Sequence, residues 1–127
     1  MGPLGFVAVG VGAAAGAWLR WGFAVLWNAI NPALPYGTLA ANLLGGYLVG
    51  LAVGFFDTHA GLPPEWRLLA ITGFLGGLTT FSSYSAEAVG LLARAQYLWA
   101  TLLISGHVVG SIAMTVLGIA TVRALSA

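Results

Sequence analysis

The chain of 127 residues contains no cysteine, and its four basic side chains besides histidine are all arginine, so lysine is absent too. Without cysteine, neither a disulfide framework nor a thiolate metal site can form. Acidic residues are equally scarce. Asp57, Glu65 and Glu87 are the only three, and charged residues make up 6% of the chain. A small water-soluble domain needs a charged surface, which this composition cannot supply. No soluble domain is left for chemistry to sit in, which argues against an enzyme. Net charge is +1 with no basic run, so nucleic acid is not an expected partner. The alternating ten-residue segments of a membrane β-barrel are also missing.

What the chain has instead is apolar length. Hydrophobic residues make up 60% of it, and mean hydropathy is +0.98. A membrane-spanning helix needs about 20 mainly apolar residues, and four windows meet that: residues 4–27, 36–56, 68–92 and 97–122. The first is too long and too rich in glycine and alanine for a cleaved signal peptide, and it lacks a basic leading segment. Residues 31–35, 57–64 and 93–96 make the connections, the first two carrying turn chemistry. The expected architecture is an all-α, multi-pass protein of the cell (inner, cytoplasmic) membrane: one domain over residues 1–127, with four transmembrane helices in contact with lipid.

Glycine recurs at packing spacing: Gly12 with Gly16, Gly46 with Gly50 and Gly54, Gly106 with Gly110. Small residues four apart let helix backbones approach closely in lipid. Four short helices enclose little interior, so a polar path is expected between subunits, in a homo-oligomer. With the N-terminus, second connection and C-terminus on one side, Arg67 and Arg123 face Arg20 and Arg94 across the membrane. The positive-inside rule then has almost nothing to act on. Insertion in both orientations, giving an antiparallel dimer, is the reading this suggests.

The densest information lies in residues 73–87, G-F-L-G-G-L-T-T-F-S-S-Y-S-A-E. An apolar start stalls at Gly76-Gly77, then hydroxyl residues run on with Phe81 and Tyr84 interleaved. This pattern predicts a third helix broken near the membrane centre. Irregular backbone at that depth survives only when buried in protein or lining a pathway, and transport sites are commonly built from such breaks. Thr38 and Asn42 are four apart on the second window and share a face. The Asn42 amide offers two donors and an acceptor to a ligand or to a neighbouring helix. On the fourth window Tyr97, Thr101 and Ser105 form a hydroxyl stripe, with Thr115 near the same face and Gly106 and Gly110 opposite. His107 lies off the stripe, where packing is the commoner role. Arg20 suits either an electropositive vestibule or an anchor at the helix end. Glu87 suits a cap, an ion pair or acceptance of a hydroxyl.

No Asp, Glu or Lys sits in the middle of a window, which argues against proton coupling. Donors from Asn, Ser, Thr and Tyr, with the electropositive edges of Phe81 and Tyr84, suit a small, strongly hydrated anion. Carbonyls freed at residues 76–79 suit the opposite task, holding a small cation.

At these residues the chain resembles the Fluc (CrcB) family of fluoride channels over essentially its whole length. G-G-L-T-T-F-S-S-Y-S at residues 76–85 is similar to the family's G-G-x-T-T-F-S-T-F-S. G-A-A-A-G-A-W-L-R-W at residues 12–21, G-T-L-A-A-N-L-L-G at residues 37–45 and the Tyr97, Thr101, Ser105 stripe support it. The resemblance implies an antiparallel, dual-topology homodimer with two pores that export fluoride passively. It places Asn42, Phe81 and Tyr84 against fluoride, with Ser105, Tyr97 and Thr101 along a polar track. Thr38, Thr80 and Ser83 join the pathway and Arg20 the vestibule. It also implies a structural Na+ at the dimer centre, held by the Gly76 and Thr79 carbonyls of both subunits. Tyr84 departs from the family's phenylalanine by adding a hydroxyl, and Ser83 replaces the usual threonine. Two other classes compete. A small multidrug-type transporter should carry a membrane carboxylate in its first helix, and residues 4–27 hold none. A non-transporting membrane assembly subunit leaves the broken segment and aligned polar faces unexplained.

Overall fold

The computed structural model describes residues 2–127, and every regular element among them is helical. Helix α1 (Pro3–Trp27) starts on Pro3, whose missing N–H a first turn does not need. Helix α2 (Tyr36–Thr58) follows a connection tied by two asparagines. Asn31 Oδ1 accepts the Ala33 N–H at 2.9 Å and the Leu34 N–H at 3.2 Å, the local turn that asparagine favours. Asn28 Oδ1 accepts the Thr38 N–H at 3.0 Å and so caps α2 from outside it.

The next segment is less regular. We call α3 the run made of Pro64–Arg67, the wider-turned π stretch Leu68–Leu75 and the short piece Gly76–Leu78. Thr79 is then extended, with φ −84° and ψ 156°. Helix α4 (Ser82–Ala93) resumes after Phe81, and α5 (Tyr97–Ser126) completes the chain. Three helices, α1, α2 and α5, are individually long and apolar enough to cross a membrane. The remaining apolar stretch is shared between α3 and α4. The helices α1, α2 and α5 run past the apolar windows at Trp27's partner end Pro3, at Thr58 and at Ser126. Backbone hydrogen bonding continues after the side chains turn polar.

Close backbone approaches hold the layers together. Gly50 of α2 faces Gly118 of α5: a Cβ on Gly50 would stand 2.9 Å from Gly118 Cα and 3.0 Å from Ile119 N. Between α1 and α3, a Cβ on Gly16 would stand 2.7 Å from Leu78 N, and one on Gly77 would stand 3.0 Å from Ala13 Cα. Gly106, by contrast, has Leu39 Cδ1 as its nearest neighbour at 3.7 Å, an ordinary contact. Gly118 packs on the α2 backbone from outside the spacing pairs noted in the sequence, while the noted Gly46 and Gly110 also face the partner helix, at Ser111 and Leu43. Gly50→Leu is therefore expected to cost about 3 kcal/mol or more by forcing these backbones apart. The measurement is recovery of monodisperse protein on gel filtration, with Gly106→Ala recovered as the unmodified chain is.

Candidate functional site

The backbone between Leu78 and Ser82 redirects its hydrogen bonds one by one. A continuous helix would deliver the Thr80 N–H to the Gly76 carbonyl; it goes to Asn42 Oδ1 at 2.7 Å instead. The Ser83 N–H, due at the Thr79 carbonyl, goes to Thr80 Oγ1 at 3.0 Å. The Gly77 carbonyl, which would take the Phe81 N–H, accepts Arg20 Nε–H at 3.1 Å. Two side chains from other helices and one local hydroxyl thus stabilise the interruption, and the Gly76 and Thr79 carbonyls are released from their helical partners. Thr79 turns its own hydroxyl back to the Leu75 carbonyl at 2.8 Å.

Asn42 is the fixed point of this arrangement. It is buried, and its amide pairs with both backbone groups of Thr80, since Nδ2 also donates to the Thr80 carbonyl at 2.8 Å. Its second N–H points at His107 Nδ1, 2.8 Å away. Both amide donors are therefore engaged inside the subunit, the neighbouring-helix use of the two that its sequence position suited. Arg20, half-buried, adds a contact that neither reading offered for it named. Its long stem carries the guanidinium from α1 to the break.

Asn42, Gly76, Thr79, Thr80, Phe81, Tyr84 and His107 line one groove of about 510 Å³, closed on the far side by Ser111 and Thr115. Thr115 donates to the Gly46 carbonyl at 3.0 Å and the Ser111 carbonyl at 2.9 Å. It therefore ties α5 to α2 and does not continue the hydroxyl stripe. Phe81 and Tyr84 meet edge to face, with centroids 5.1 Å apart and planes at 84°. Tyr84 also stacks on His107 at 4.7 Å and 16°. Phe81 is 74% exposed, a large ring left standing outside the subunit's own core.

A second polar group lies beside the groove. Thr38, buried, donates its hydroxyl to Glu87 Oε2 at 2.7 Å and accepts from Asn28 Nδ2 at 3.3 Å. Glu87 thus accepts a hydroxyl, one of the three roles its position suited. The fourth-window stripe sits apart. Tyr97, Thr101 and Ser105 are exposed on α5, and none of them borders the 510 Å³ groove. Thr101 returns its hydroxyl to the Tyr97 carbonyl at 2.8 Å. Tyr97 borders a different basin, of about 990 Å³, with Arg94 and Asn31.

His107 is buried, as the packing role expected for it requires, but its partner could not be read from the sequence. It is 2% exposed, and its Nδ1 meets the Asn42 amide nitrogen, whose direction the Thr80 backbone sets. Its register gives the only hint: it follows Ala100 and Leu103 at helical spacing, and all three are buried.

The likeness to known proteins covers nearly the whole chain. Residues 7–119 match the family described as CrcB-like protein, Camphor Resistance (CrcB). A fluoride-specific ion channel FluC of Cupriavidus necator is 78% identical over 126 residues, covering 99% of this chain and 100% of that protein. The protein of the same name from Cupriavidus taiwanensis is 75% identical over the same shares. One from Pseudomonas putida is 57% identical over 115 residues, 91% of each chain. An all-helical fold of membrane-spanning length, a matched sequence from Val7 to Ile119 and near-complete coverage of these relatives lead to one assignment: the chain belongs to the CrcB family.

Proposed function

We propose that this protein is a fluoride-selective channel that passively exports fluoride across the inner membrane and so protects the cell from fluoride. The observation that carries this reading is the redirected backbone at residues 79–81, set in a groove with two aromatic rings. Fluoride holds its water tightly, so a path for it must offer replacement donors. Hydroxyls and electropositive ring edges do so without a fixed charge that would trap the ion. The names of the relatives point the same way.

The working unit is an antiparallel homodimer in this proposal. Phe81 and the α5 stripe of Tyr97, Thr101 and Ser105 are exposed on a single subunit. Hydroxyl stripes are poorly suited to lipid and well suited to a second copy with a wet path between. The even spread of the four arginines favours insertion in both orientations. A C-terminal topology reporter active on both sides of the membrane is the matching observation.

The residues at the break fit a structural Na+. No group of three or more His, Asp or Glu side chains gathers among the described residues, whereas the Gly76 and Thr79 carbonyls have lost their helical donors. Hard oxygen ligands of that kind suit a small cation, and two copies would double their number. Thr79→Ala keeps the carbonyl and removes a hydroxyl that only bonds its own helix. Dimer content and efflux are expected to stay within about twofold of the unmodified protein, since one hydroxyl bond within its own helix is worth about 1 kcal/mol. Loss of either on that substitution would count against the backbone assignment.

The multidrug-type alternative lacks its required carboxylate, because α1 holds no Asp or Glu. The deciding experiment is fluoride efflux from liposomes containing the purified protein, with chloride as control. Equal release of the two ions, or of neither, would overturn the proposal.

A further inference from the structure

Asn42 and His107 together fix where one proton sits. The backbone of Thr80 decides which way the Asn42 amide faces, because its N–H must meet an oxygen and its carbonyl must meet an N–H. The amide nitrogen is therefore the atom facing His107 Nδ1 at 2.8 Å. An amide nitrogen only donates, so Nδ1 must be the acceptor and carry no proton. The ring proton is then on Nε2. That atom is buried and has no hydrogen-bond partner within the subunit. Native structures rarely leave a buried donor unmatched, and the exceptions call for a ligand, a water or a functional reason.

The same residue lines the groove with Phe81, Tyr84 and Asn42. With both Asn42 donors engaged, the only side-chain N–H in this part of the groove without a partner belongs to His107. We propose that His107 Nε2–H is the side-chain N–H that fluoride meets on its way through, and that Asn42 acts by holding the imidazole in the donating tautomer. This inference rests on the channel reading. The Tyr84 ring stacks on the imidazole and also lines the groove, so contact requires that ring to give way slightly. A fixed neutral donor suits a permeating anion better than a charged one, because it replaces a water without holding the ion as a counter-ion would.

The test uses proteoliposomes of the full chain with ¹⁵N-labelled histidine. The protein has two histidines, and His59 is exposed at the end of α2, so His59→Gln leaves a single ring to observe. Solid-state NMR is expected to show Nε2 protonated and Nδ1 bare, with sodium fluoride moving the Nε2 resonance and sodium chloride leaving it in place. In parallel, efflux is measured per dimer, with dimer content read by gel filtration. His107→Asn keeps an acceptor near Nδ1 but places nothing at Nε2, and efflux is expected to fall at least about tenfold, the effect of one lost hydrogen bond to a charged group. His107→Gln carries an N–H out toward the Nε2 position but gives up the Asn42 contact, and should retain more efflux than the Asn variant. A purely structural histidine would rank these two in the opposite order. A protonated Nδ1, an Nε2 signal indifferent to fluoride, or the reversed ranking would overturn this inference while leaving the channel in place. An unmodified protein that released no fluoride would overturn both.

Discussion

Aspartate in place of Asn42 is expected to abolish fluoride efflux. The side chain is nearly the same size, so the change is one of hydrogen-bond direction and charge. The Thr80 carbonyl, 2.8 Å from the amide nitrogen, would face a carboxylate oxygen in its stead. His107 Nδ1, at a similar distance, could bond that oxygen only with a proton on Nδ1, either moved from Nε2 or taken up as a second one, which turns the neutral ring into a charged one. The groove would gain a negative charge in the path of an anion and lose its amide donors. Uncompensated buried charge costs roughly 3 kcal/mol or more, which corresponds to more than about a hundredfold in rate. Asn42→Ser keeps one hydroxyl donor and stays neutral, so a smaller loss is expected. Efflux per dimer is the quantity to measure, with dimer content checked by gel filtration. Full-rate efflux from a well-folded Asn42→Asp dimer would remove α2 from the pathway. A role limited to packing would rank the two variants by dimer yield and leave efflux per dimer unchanged.

Phe81→Ile is expected to stop or severely slow efflux while the dimer persists. Isoleucine keeps much of the bulk and all of the apolarity but has no ring edge to present to an anion. Phe81 is 74% exposed and contributes little to the subunit's own core, so the fold has little reason to notice. Its edge-to-face contact with Tyr84 would go, a loss of about 1 kcal/mol beyond area burial. A fall of at least about tenfold in efflux is the expected reading, since tenfold corresponds to only 1.4 kcal/mol at the barrier. Unchanged efflux would mean that the ring only fills space.

The contrast between these two positions shows what a single sequence can and cannot give. Phe81 and Tyr84 are three apart, and their proximity follows from helical geometry alone. The release of the Thr79 carbonyl is similarly local, because the Thr80 hydroxyl takes the Ser83 N–H, whereas that of Gly76 depends on Asn42 from another helix. Apolar windows of spanning length locate the helices α1, α2 and α5 to within a few residues. What escapes the sequence depends on how one helix is rotated against another. Arg20 lies 57 residues from Gly77 and Asn42 lies 65 from His107. No spacing rule within one helix predicts such pairs. The α5 stripe illustrates the converse: Tyr97, Thr101 and Ser105 align as their spacing dictates, but alignment does not say which surface they meet. The engagement of both Asn42 donors escapes for a further reason, since composition can count donors without showing where they point.

The interruption between Leu78 and Ser82 has an electrical consequence. Every helix ends as a fractional charge, negative where its carbonyls emerge and positive where its N–H groups emerge, each about half an elementary unit. Here the carbonyl end of α3 and the N–H end of α4 are separated by only Thr79, Thr80 and Phe81. One kink therefore places opposite poles almost back to back, with the Arg20 guanidinium already set against the carbonyl pole at Gly77. Neither the helix poles nor an arginine loses charge near neutral pH, so this field does not vary with pH there. A chain with three acidic and four basic side chains thus carries much of its local polarity in its backbone.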